Sequence, residues 1–246
     1  MKRLQLSTLK DGARFVYGGV EWVKLEHLYT ESGKLETVAI AAEPVFERAF
    51  DEENCNDWRK SSLRRELNGA FLDALIAEGA DPAAFMEFES DLTADDGMTD
   101  YGTARDKIAL ITCGLYREYR ALIPKIGCWW WTLTPWTCDL EYSCNVRGVD
   151  SSGAMNWRYA YRGGGGVRPL CHLQSSIFVS VPDEEGEQMN RGEVIGEARD
   201  AVLDTLNDYP ADIWGDALGA AVASLFQSKQ DAVDMAEEEK AKRAEG

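Results

Sequence analysis

The chain is short of histidine, with two in 246 residues, and none of its six cysteines forms a Cys-x-x-Cys pair. Zinc sites are assembled from Cys and His at such spacings, so no structural metal is expected. Basic residues are also in deficit: 26 Lys and Arg stand against 43 Asp and Glu, a net charge of −17. Phosphate binding needs a basic face, so no nucleic acid is expected as a partner, nor an anionic membrane surface. No apolar run reaches the length of a membrane span, and the opening MKRLQLSTLKDG lacks the apolar core of a signal peptide. No membrane insertion is expected. Synthesis and folding in a reducing cytoplasm are expected, with all six thiols unpaired unless cell lysis exports the protein. Catalytic signatures are missing too: there is no Gly-x-Ser-x-Gly, no His-Glu-x-x-His and no kinase-like set. The glycine run at 163–166 is followed by neither Lys-Ser/Thr nor a helix start, so it is not a phosphate loop. Nor is there a clear carboxylate and amide set for calcium-dependent lectin chemistry. These absences lead to an expectation of no metal, no cofactor and no enzymatic activity.

What the chain does have is concentrated in residues 128–171, CWWWTLTPWTCDLEYSCNVRGVDSSGAMNWRYAYRGGGGVRPLC. Five of the eight tryptophans sit here, with three tyrosines, four arginines and four consecutive glycines. Tryptophan and tyrosine give large contact area at low entropy cost, and arginine adds planar donors. The stretch reads as a dense β core, a recognition surface, or both.

The remaining organisation is α+β. Residues 13–17 and 20–28 flank Gly18-Gly19 as a hairpin, and 37–41 form a third strand. Residues 57–78 form a helix with Leu63, Leu67, Phe71 and Leu75 on one face, capped by Asp57 or Ser61 and ended by Gly79. A short helix is expected near 82–88, a buried strand at 107–112 and a helical turn at 115–122. Short strands follow at 128–136, 140–148, 154–161 and 166–173, with 177–181 closing the sheet. Residues 1–181 thus make one domain, 182–192 a polar linker and 193–246 an acidic helical extension suited to attachment or oligomerisation. From Pro182 onward there are 17 acidic and 6 basic residues, so most of the net charge lies there.

Five pieces of the sequence form an ordered series. They are Gly19-Val-Glu-Trp22-Val-Lys-Leu25, residues 58–71 with Trp58, Ser61, Leu63, Arg64, Leu67, Asn68 and Phe71, then Asp106-Lys107-Ile-Ala-Leu110, the segment 129–135, and Gly166-Val167-Arg168-Pro169. The series resembles an uncharacterised domain family of gut bacteria and their phages, with the pattern W-x-x-S-x-L-R-x-x-L-N, then W-W-L-R-S-P, then G-V-R-P. One departure stands out, because the arginine of the W-W-L-R-S-P piece is missing from Thr132-Leu133-Thr134-Pro135. The arrangement also looks like the C-type-lectin fold in its broad sense, which implies a mixed sheet with one or two packed helices that displays a binding surface. Fold alone does not set function.

Trp58, Leu63, Leu67 and Phe71 are expected in the core, with Arg64 and Asn68 as structural hydrogen-bonders one helical turn apart. Arg168 is expected to satisfy buried carbonyls or an acid such as Asp106. In a strand, Trp129 and Trp131 share one face and Trp130 takes the other, which is half exposed or covered. Alternation also groups Trp157, Tyr159 and Tyr161 opposite Asn156, Arg158 and Arg162. With Trp130, and with Asp139, Glu141, Tyr142, Asn145 and Arg147 in the preceding strand and turn, they make the candidate binding surface. Such a mixture suits a protein or a glycan.

The resemblance implies a non-enzymatic, virion-associated phage protein (a tail, fibre or capsid-decorating component). Made in the bacterial host cytoplasm, it would recognise a host surface or other virion proteins and self-associate through its C-terminal helices. An alternative is an intracellular phage or prophage regulator that binds a host protein. A second is an oxidase of the formylglycine-generating type, for which Cys138 and Cys144 are the nearest cysteine pair.

Overall fold

A computed structural model describes residues 1–29 and 35–182. Of these, 38% are in strands and 16% in helices, and the sheets are curled. The α+β reading therefore holds, with β predominant. The linker beyond Pro182 and the acidic extension lie outside the described residues.

The opening hairpin forms as expected. Arg14–Tyr17 pairs with Val20–Tyr29, and Gly18 and Gly19 turn the chain with φ of 59° and 73°. Two consecutive positive φ values match the right-handed strand twist, and glycine takes them without strain. The larger sheet places its strands in the order Lys2–Gln5, Phe178–Val181, Arg14–Tyr17, Val20–Tyr29, Leu35–Ala41, Pro169–Gln174, Phe85–Met86. Ile108–Leu110 also pairs with Pro169–Gln174. The first and last strands of the domain are thus neighbours, with Lys2 opposite Val181. The second sheet has the order Met155–Tyr159, Asn145–Val149, Trp130–Pro135, Gly166–Val167, Phe46–Glu47, with one parallel pairing, Trp130 to Gly166. Among the described residues, Met155–Tyr159 therefore has a strand neighbour on one side only.

One helix of 16 residues packs inside this frame, over 62–77. Of the two candidate caps, Ser61 takes the role: its Oγ accepts from the backbone N–H groups of Leu63 (3.1 Å) and Arg64 (3.3 Å). Asp57 instead binds the Arg59 guanidinium. The helix bends at Gly69, where one wide turn interrupts it. It ends when the N–H groups of Gly79 and Ala80 donate back to the carbonyls of Ile76 and Leu75. The predicted stripe Leu63, Leu67, Phe71 and Leu75 is buried, as is Trp58.

The residues of the ordered series hold this core together. Trp58 Nε1 donates to Asp106 Oδ2 at 2.9 Å, and Arg64 Nε donates to Asp106 Oδ1 at 2.8 Å. Asn68 donates to the carbonyls of Arg64 (3.1 Å) and Ile108 (2.7 Å), and its Oδ1 accepts from the N–H groups of Lys107 and Ile108. The helix is thereby tied to the strand Ile108–Leu110. Arg168 is fully buried and donates to the carbonyls of Ala41 (2.9 Å), Ala42 (2.9 Å) and Pro124 (3.2 Å). Of the two expected partners it has the carbonyls, while Asp106 serves Trp58 and Arg64. Burial pulls its guanidinium down to about 10, still far above neutrality.

Three expectations need correction. The predicted strand 166–173 is two strands in different sheets, and the chain crosses between them at Arg168. The helix near 82–88 is a single turn, Pro82–Ala84, after which the backbone extends into Phe85–Met86. The strand at 140–148 starts only at Asn145. Asp139 holds a turn before it, with its Oδ1 accepting from Glu141 N–H at 2.8 Å and its carbonyl from Tyr142 N–H at 3.0 Å.

Candidate recognition surface

All three members of the tryptophan triplet are buried, which decides the fate of Trp130. Its indole meets the Tyr116 ring edge-on, with centroids 5.5 Å apart. The Arg168 guanidinium lies 4.8 Å from its centroid. With 2% of its surface exposed, Trp130 is core and leaves the candidate surface. Trp129 and Trp131 share the opposite side and contact each other edge to face at 4.4 Å. Their rings occupy the space beside Gly148 and Gly165, where a Cβ would overlap them. Asn145 is likewise buried and leaves the surface. Its carbonyl accepts from Asn56 Nδ2 at 3.0 Å and from Trp136 N–H at 3.0 Å.

The remaining candidates come together along the outer strand of the second sheet. Trp157 lies opposite Arg147, and Tyr159 opposite Asn145. Five rings form an unbroken row. Tyr142 meets Trp136 edge-on (5.9 Å), Trp136 stacks on Trp157 (5.3 Å, 7°), Trp157 meets Tyr159 edge-on (5.6 Å), and Tyr159 stacks on Tyr161 (5.9 Å, 16°). Tyr142, Trp157, Tyr159 and Tyr161 keep 47%, 38%, 39% and 46% of their surface in water. The expected grouping of Trp157, Tyr159 and Tyr161 is therefore present. Trp136, which the sequence reading missed, links it to Tyr142. Leu140, 92% exposed, sits on the turn that carries Tyr142.

Polar groups flank this strip. Arg147 Nε donates to Asp95 Oδ2 at 2.8 Å, and Arg117 donates to Asp95 Oδ1 at 3.1 Å. Burial pushes the Asp95 carboxyl up, but the two guanidinium groups outweigh it and hold it below the usual carboxylate range. Arg147 is thus anchored. Arg158 lies on the other side of the strand, its guanidinium 4.4 Å from the Trp129 centroid and donating weakly to Gly164 carbonyl oxygen at 3.4 Å. Arg162 lies 5.3 Å from the Tyr161 centroid. Asp139 and Glu141 are exposed on the turn before the strip, and Asn156 is exposed on the strand itself.

The free edge of the strand is partly covered by its own chain. Ala160 N–H donates to Cys144 and Asp150 N–H to Ala154, which fixes the phase of the ladder. Trp157 and Tyr159 then turn their peptide groups outward. Asn156 Oδ1 accepts from Trp157 N–H at 2.9 Å, Arg162 N–H donates to the Tyr159 carbonyl at 3.0 Å, and Asn54 Oδ1 accepts from Tyr161 N–H at 3.3 Å. Such contacts blunt an edge against strand addition.

The six cysteines are free thiols. Burial pushes the Cys138 thiol up, the direction opposite to activation as a nucleophile. Among the described residues, no group of three or more His, Cys, Asp and Glu side chains is placed to hold a metal ion. No described helix is long and apolar enough to cross a membrane.

Residues 85–175 are similar to a domain family of unknown function, DUF6273. The matched segment contains the whole aromatic strip and leaves out the helix over 62–77. No curated protein and no solved structure matches the chain.

Proposed function

We propose that this chain is a non-enzymatic binding and display module whose recognition surface is the strip Tyr142–Trp136–Trp157–Tyr159–Tyr161. The observation that carries the reading is the unbroken row of five contacting rings on a free sheet edge. Contiguous apolar area of this kind, rimmed by polar groups, is the mark of an interaction site. Tryptophan, tyrosine and arginine are also the side chains that dominate binding energy at interfaces. A C-type-lectin-like scaffold is the finer reading of the fold. It is supported by curled sheets, paired first and last strands and the aromatic-rich late strands of the second sheet.

The phage setting rests on the five-piece series. In that setting the module belongs to the virion and meets a host surface or a neighbouring virion protein. Mass spectrometry of purified particles tests the setting, and absence of the chain from them would overturn it. The six free thiols favour the second reading, an intracellular regulator acting in a reducing compartment, and that reading would then take over.

The strip itself is tested by the pair Trp157→Ala and Tyr159→Ala in the full chain. Pull-down of host-envelope or particle components by the wild type is expected to be lost in the pair, with folding intact by circular dichroism. Retention of the same components by the pair would remove the strip as the site.

A further inference from the structure

The orientation of the rings bears on what the strip can hold. Trp136 and Trp157 spend a face on each other, as do Tyr159 and Tyr161. Tyr161 also has the Arg162 guanidinium over its ring. Sugars bind to aromatics by laying a C–H face on an open, flat ring face. Stacking takes one face of each of these four rings, and edge-on contacts tilt Trp157 against Tyr159 and Trp136 against Tyr142, so the strip offers no run of coplanar open faces. Such a corrugated row suits the side chains of a polypeptide.

Charge adds the second constraint. Arg147 and Arg117 share the one carboxylate of Asp95, each at ion-pair distance. Arg158 and Arg162 have no carboxylate within ion-pair distance among the described residues. They share a depression of about 410 Å³ with Trp157, Tyr159 and Gly164. The two arginines make a local basic site at the strand edge beside Trp157 and Tyr159, at the opposite end of the row from the exposed Asp139 and Glu141. It would draw a carboxylate and repel a base.

From this geometry we infer that the occupant of the strip is an acidic polypeptide segment. Its apolar side chains lie across Tyr142–Trp136–Trp157–Tyr159, and one Asp or Glu carboxylate reaches round the strand edge into the depression lined by Arg158 and Arg162. The inference rests on the binding-module reading above and narrows its partner class. The partly covered strand edge argues for side-chain docking over an added strand.

The test uses the immobilised full chain against a random twelve-residue peptide library and, in parallel, an oligosaccharide array. Selected peptides are expected to carry Asp or Glu next to Leu, Phe, Tyr or Trp. Their dissociation constants should rise at least about tenfold in the pair Arg158→Gln and Arg162→Gln, the loss of a charge-assisted contact. They should also rise with salt. Arg162→Gln alone, on an exposed turn, guards against misfolding of the pair and should give part of the loss.

Sugar binding that Trp157→Ala and Tyr159→Ala abolish, without peptide enrichment, would overturn the acidic partner and keep the strip. Peptides lacking acidic residues, or indifferent to both arginines, would do the same. If neither library yields binding that depends on Trp157 and Tyr159, both readings fail. Self-association in the ultracentrifuge that the Trp157→Ala and Tyr159→Ala pair removes would make a second copy the occupant and overturn the acidic peptide.

Discussion

Trp58 and Trp157 each sit at the centre of a chain of aromatic and polar contacts, and the two chains differ in how they end. The Trp58 chain is closed. Its indole N–H meets Asp106, Asp106 meets Arg64, and Arg64 donates onward to the carbonyls of Arg59 and Arg105. Arg168 is closed in the same way by three backbone carbonyls and the Trp130 ring. The Trp157 chain is open. Its rings touch one another, but each exposed one keeps more than a third of its surface in water, and two flanking guanidinium groups have no carboxylate partner among the described residues. Closed networks of buried polar groups fix a unique core. Open ones with the same residue types are available to a partner. The same amino acids thus serve opposite ends, and the deciding variable is whether the donors are already spent.

The largest effects should come from breaking the closed chain. Arg168→Ala removes a fully buried side chain, leaves three carbonyls without their donor and opens a cavity beside Trp130. Asp106→Ala orphans the Trp58 N–H and part of Arg64. Each is expected to cost about 3–5 kcal/mol in urea unfolding, in the range for one lost partner of a buried network. A cost below about 1 kcal/mol for both would erase the distinction between the two chains.

Overpacking beneath the strip comes next. Gly148 and Gly165 leave the room that Trp129 and Trp131 fill, and a Cβ on Gly148 would stand 2.6 Å from the Trp130 carbonyl oxygen. Gly148→Ala and Gly165→Ala should each cost about 1–3 kcal/mol. The strip rings are untouched, so binding by the folded fraction should weaken only as far as Arg158, which lies over Trp129, is displaced. Lost binding at full folding would mean that the buried triplet sets the strip's geometry.

How much of this was legible depended on the range of the interaction. The helix at 62–77 was readable because its apolar stripe, its Ser61 cap and its Gly79 stop are local. The face shared by Trp157, Tyr159 and Tyr161 was readable from alternation alone. Alternation does not say which face another element covers, so it leaves Trp130 among the surface candidates. The cover comes from Tyr116 and Arg168, both remote in sequence. Asn145 failed for the same reason, since Asn56 reaches it across 89 positions. Trp136 lies past the strand end at Pro135, where alternation gives no guide, and its N–H donates to the Asn145 carbonyl at the place where its ring stacks on Trp157. The Arg147–Asp95 pair spans 52 positions and leaves no periodic trace.

The smallest effect is a pH dependence that should separate the two regions cleanly. Both histidines belong to the larger sheet. Burial is the first cause lowering His172, opposed by Glu36 at 3.3 Å, while its ring stacks on Phe88 at 4.1 Å. Burial and then Lys24 lower His27, with Asp11 opposing. The unfolded chain therefore takes up protons first as pH falls below the ordinary histidine value of 6.5. Stability contributed by the neutral rings is full above 6.5 and declines between that value and the lowered folded ones. Asp57 and Asp95 act in a separate, more acidic window, since their contribution holds above 3.8 and is lost as pH falls through their lowered values. Melting temperatures should thus drop between pH 7 and the histidine window, and His27→Gln with His172→Gln should flatten that slope. The strip carries no histidine, and Asp95 beside it stays ionised throughout this range. Peptide binding by the folded chain should therefore stay level over the same interval, measured by anisotropy at matched ionic strength. A binding curve that tracks the melting curve would show that the open chain of rings depends on the closed interior after all.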